Sequence, residues 1–73
     1  MKVVAEIFLG DENKVVEIVK EGKNRVKTLL SFGFEVKKYA KKQNKILKIK
    51  SDDPTVLSYF QENLKNVVVE QIE

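Results

Sequence analysis

No cysteine and no histidine occur in this chain of 73 residues, so neither a disulfide framework nor a Cys/His metal site can staple its fold. Side-chain packing has to hold it. A chain of this length buries only roughly 60% of its unfolded surface, which is room for one core, and residues 1–73 read as a single α+β domain. Self-association would add what so small a core lacks. The absence of cysteine also agrees with a reducing compartment, and a cytoplasmic location is the expectation. Met1–Leu9 does not read as a signal sequence, because Glu6 interrupts its apolar run and no small-residue cleavage site comes after it. No stretch approaches the roughly 18 uninterrupted apolar residues of a spanning helix, so no membrane partner is expected.

Hydropathy alternates along the first segment, with Val3, Ala5, Ile7 and Leu9 on one face and Val4, Glu6 and Phe8 on the other. This is the period of a β-strand. Gly10-Asp11-Glu12-Asn13 ends it, and the segment after Asn13 admits two parses. Val15, Ile18, Val19, Gly22, Val26, Leu29 and Leu30 fit one amphipathic helix running from near Asp11 to just before Gly33. The four β-branched residues within Val15–Val19, together with Gly22 and Asn24 beyond them, fit a strand over Lys14–Lys20 and a turn at Glu21-Gly22-Lys23. In that second parse Asn24 caps a short helix, Arg25–Phe32.

Beyond Gly33, Phe34, Val36 and Ala40 alternate with Glu35, Lys37, Tyr39 and Lys41, which predicts a strand. The polar turn Lys42-Gln43-Asn44-Lys45 joins it to a partner, Lys45–Ser51, with Leu47 and Ile49 facing inward and Ile46, Lys48 and Lys50 outward. Asp52-Asp53-Pro54 predicts a helix start, Asp53 as N-cap and Pro54 at the first helical position. Leu57, Phe60 and Leu64 form its buried stripe, Asn66 is a left-handed stop, and Val67–Ile72 returns as a strand. With the long helix the order is β-α-β-β-α-β, a ferredoxin-like two-layer sandwich in which two helices cover one face of an antiparallel sheet. The second parse adds an N-terminal hairpin strand.

Seven lysines and no acidic residue fall between Val36 and Ser51, while the whole chain carries only +3. Charge polarised in this way suggests a polyanionic partner, nucleic acid first. Lys37, Lys41, Lys45, Lys48 and Lys50 would supply the cations and Tyr39 a stacking surface. The plainer reading is that the lysines solvate an edge hairpin and keep it from pairing with other chains. A second class of partner is a protein. Val4, Phe8, Ile46 and an outward residue of Val67–Ile72 could make an apolar strip on the uncovered sheet face, suited to a homodimer or another interaction.

Ile7-Phe8-Leu9-Gly10 resembles the start of the shorter ribonucleoprotein motif of RNA-recognition domains, and the resemblance implies that Phe8 is a stacking platform. Lys45–Lys50 holds no Phe or Tyr where that family has its longer aromatic motif, and the chain is not assigned to it. Catalysis fits poorly. With histidine and cysteine absent, the remaining nucleophiles lack a nearby activating partner in sequence, so neither an enzyme nor a cofactor is expected. Asp11/Glu12 and Asp52/Asp53 are turn and cap residues, and Gly10 and Gly33 are read as ends of elements. Arg25, the single arginine, is expected to pair with Glu21 along the long helix.

Overall fold

The computed structural model describes residues 1–40 and 43–73. Their elements run β1 (Lys2–Leu9), β2 (Lys14–Glu21), α1 (Arg25–Lys37), β3 (Lys45–Ser51), α2 (Pro54–Asn63) and β4 (Val68–Gln71). The strands form one mixed sheet in the order β2-β1-β3-β4. β1 is antiparallel to both its neighbours, and β3 is parallel to β4. Val3, Ala5, Ile7 and Leu9 of β1 are buried with Phe32 of α1 and with Val56 and Leu57 of α2, so both helices cover the same face.

The ferredoxin-like order expected from the sequence is not the one that forms, for two local reasons. First, residues 14–21 are a strand, as the second parse proposed: β1 and β2 pair in register from Lys2↔Glu21 to Leu9↔Lys14, closing on Asn13 at φ 52°. The β-branched run favours extended backbone, and Asn13 supplies the left-handed turn residue. Second, the described residues 34–40 form no strand. The helix capped by Asn24, whose side chain accepts from the Lys27 N–H at 3.1 Å, continues through Gly33 to Lys37. Leu29, Phe32 and Val36 supply the reason, since their i, i+3, i+7 spacing makes a helical stripe that packs on the core. Gly33 is therefore interior to a helix. Lys37 lies in its last turn, where a cation complements the helix dipole.

β3 carries a further departure. Its register with β1 shifts between Glu6 and Ile7, so Lys48 opposes Glu6 while Ile46 opposes Ile7 and Leu47 is the inserted residue of a bulge. The bulge reverses the alternation, and Ile46, predicted to face outward, packs on the core beside Ile49 while the half-buried Leu47 lies outside it.

The helix start at Pro54 forms as read. Asp53 Oδ1 accepts from the Thr55 N–H at 3.0 Å, and the buried Ser51 hydroxyl accepts from the Asp53 N–H while donating to the Lys2 carbonyl at 2.8 Å. Asn66, at φ 59°, makes the left-handed stop before β4. Arg25 does not pair with Glu21, which lies in a strand; its guanidinium meets the Asp53 carboxylate at 2.7 Å and ties the start of α1 to the start of α2. At the far end of β1, the Gly10 N–H donates to the Asn44 side chain at 3.1 Å, and Asn44 in turn donates to the Tyr39 carbonyl. A Cβ on Gly10 would stand 2.5 Å from the Gln43 carbonyl oxygen, so this close approach requires glycine.

Candidate functional site

The six residues singled out for polyanion binding occupy different parts of the molecule. Lys48 and Lys50 lie on the uncovered face of the sheet, and Lys45 joins them through its pairing with Phe8. Lys37 is on α1, in the other layer. Tyr39 comes just after the helix and packs, half-buried, against the core, lining an open pocket with Ile7, Val36 and Leu64. Lys41, and Lys42 of the predicted turn, lie outside the described residues.

On the uncovered face Lys48 and Lys50 meet acidic partners. Lys50 Nζ lies 3.0 Å from Glu6 and 3.8 Å from Glu17, and Lys48 Nζ lies 3.8 Å from Glu70. The hydrogen bond to Glu6 holds the Lys50 ammonium above its ordinary value; partial burial opposes this, and the charges of Glu6, Glu17 and Glu70 add to it. By strand register this face carries Lys2, Lys45, Lys48 and Lys50 against Glu6, Glu17, Glu21 and Glu70. Its formal charge is balanced. Val4 is buried among these side chains, Phe8 is half-buried, and Val15, Val19 and Val68 stand exposed between them.

The other layer has a different character. No Cα of α1 comes within 8 Å of a Cα of α2, whereas helices packed directly on one another have axes about 8–10 Å apart and closer backbone atoms. The gap is an open groove of about 660 Å³. Leu29, Gly33 and Val36 line its α1 wall, Val56, Tyr59 and Phe60 its α2 wall, and Ile46 and Ile49 of β3 its floor. Phe32 and Phe60 meet edge to face across it, ring centroids 5.9 Å apart. Arg25, paired with Asp53, also lines it.

The apolar surface does not stop at the groove. Val26, Leu30 and Phe34, spaced i, i+4, i+8 on α1, are 65%, 58% and 67% exposed, and they continue round the helix from Leu29 and Gly33. Sequence reading missed this stripe because it assigned Phe34 to a strand. The signal was present in the spacing from Val26 through Phe34, which only a helix running past Gly33 brings onto one side.

Among the described residues no group of three or more acidic side chains could hold a metal ion. No buried side-chain nitrogen or oxygen there lacks a hydrogen-bond partner. No described helix is long and apolar enough to cross a membrane. Compared with known proteins, the chain matches no family model, no curated protein and no solved structure.

Proposed function

We propose that this domain is a non-catalytic interaction module that docks a polypeptide on its helix layer, in the groove between α1 and α2. The observation that carries this reading is the groove itself: concave, lined chiefly by apolar side chains, and continuous with an exposed apolar stripe. Surfaces of this kind accept an amphipathic helix whose i, i+4 and i+7 side chains fill the gap between two walls. Contiguous exposed apolar area on a small domain marks an interaction site more often than it marks idle surface.

Polyanion binding is the weaker reading because of the charge balance on the uncovered face. Phosphate contact gains its energy from cations that release counterions, and lysines already facing glutamates have less to offer. A protein dock on that same face is also less favoured, since ion pairs lie between its exposed valines.

The test places a photo-crosslinking residue at Leu30 of the helix layer or at Val19 of the uncovered face, in an extract of the protein's own source. Polypeptide adducts at position 30 and none at 19 are expected. Nucleic-acid adducts, or polypeptide adducts confined to position 19, would overturn the reading.

A further inference from the structure

Resting on that reading, we infer that the polypeptide docked on the helix layer is a second copy of this chain, with α1 crossing its partner's α1 at Gly33 so that each Val26–Leu30–Phe34 stripe lodges in the other copy's groove. Three observations converge on this occupant. The chain carries both halves of the contact, a groove between α1 and α2 and a convex apolar stripe beside it on the same helix. That is the self-complementarity an isologous twofold interface needs.

Gly33 is the second observation. A glycine inside a helix is unfavourable relative to alanine, and here a Cβ would meet no atom within 4 Å, so nothing within the copy calls for its absence. Gly33 lies between the groove wall and the stripe, where a crossing helix would come closest. Absence of a side chain there lets two helix backbones approach.

Charge is the third. α1 holds Arg25, Lys27 and Lys37 against Glu35, whereas α2 and its cap hold Asp53 and Glu62, with no basic residue from Asp52 to Leu64. Arg25 and Asp53 are already paired within a copy, so the charges left to act between copies are Lys27 and Lys37 of α1 and Glu62 of α2. A stripe lodged in the partner's groove would bring these basic and acidic residues toward one another.

The test is light scattering and sedimentation equilibrium of the purified chain from about 5 to about 200 μM. Wild type is compared with Phe34→Lys, Leu30→Lys and Gly33→Leu on the helix layer and with Val19→Lys on the uncovered face. The altered side chains are exposed, or occupy open space, so circular dichroism should report an intact fold for each. We expect a wild-type dimer whose dissociation constant rises about tenfold or more in each helix-layer variant and stays unchanged in Val19→Lys. A wild-type monomer throughout the range, or a dimer broken by Val19→Lys and untouched by the other three, overturns the inference. The two readings fail separately. Adducts from position 30 to a different polypeptide would sustain the docking surface while removing the second copy as its occupant, and no polypeptide adduct there would remove both.

Discussion

Gly10 and Gly33 are the same residue type under opposite constraints. Gly10 is fixed by the Gln43 carbonyl, which leaves no space for a Cβ, and its N–H anchors Asn44. Gly33 has open space and a helical neighbourhood that would favour almost any other residue. Replacing it with alanine lowers the backbone entropy lost on folding and adds no clash. Gly33→Ala should therefore stabilise an isolated copy by about 0.5–1 kcal/mol. Urea unfolding in the Phe34→Lys background, where association makes no contribution, measures this directly. A neutral or destabilising result would mean that Gly33 has a role within the copy that its surroundings do not reveal. Gly22 stands between the two cases: a Cβ there would approach the Thr28 hydroxyl at 2.6 Å, and that hydroxyl is itself held by the Asn24 carbonyl.

At the scale of elements, the start of α2 joins more of the fold than any other single junction. Asp53 caps the helix through Oδ1 and holds Arg25 through Oδ2, while its N–H rests on the buried Ser51 hydroxyl. Asp53→Ala removes the cap and unties α1 from α2 together, and should cost about 1–2 kcal/mol, chiefly from the cap; the ion pair adds little because Arg25 is largely exposed. Asp53→Asn keeps a capping oxygen and should recover most of the loss, as thermal unfolding of the two variants would show. Equal losses would mean that the ion pair, not the cap, dominates. This junction was legible in the sequence because Asp-Pro fixes both cap and φ locally, and β1, β3 and the Asn66 stop were legible for similar reasons. Residues 34–37 were not. Phe34 and Val36 alone satisfy a period of two, and only Leu29, Phe32 and Val36 taken together reveal the helical stripe. The bulge at Leu47 was hidden for a different reason, since it depends on how β3 registers against β1 and leaves no mark on β3 itself. The candidate site was legible only in fragments: its apolar residues were visible one by one, but the gap between α1 and α2 is set by how both helices lie on the sheet.

For the whole molecule, the distribution of charge matters more than its sum. The net +3 and the lysine-rich run from Lys37 to Lys50 suggest a basic surface. Folding sends Lys37 to the helix layer and sets Lys48 and Lys50 among glutamates drawn from β1, β2 and β4. Those glutamates come from distant parts of the chain, so no local count of lysines could anticipate them. If they are what limits polyanion binding, removing their charge should create it. The variant Glu6→Gln/Glu17→Gln/Glu70→Gln raises the net charge by three units and keeps the side-chain shapes close to those of the wild type. Its fold should persist, because partly exposed ion pairs contribute about 1 kcal/mol or less each. Fluorescence anisotropy with a labelled single-stranded oligonucleotide should then detect binding by the variant at low salt, falling with a log–log salt slope of about −2 if three lysines contact phosphate. The wild type should bind far more weakly under the same conditions. Tight, salt-sensitive binding by the wild type would show that the pairing with glutamate does not restrain the lysines, and would restore the polyanion reading. Failure of the variant to bind would place the restraint in the spacing of the lysines, which the sheet fixes whatever the charge of their neighbours.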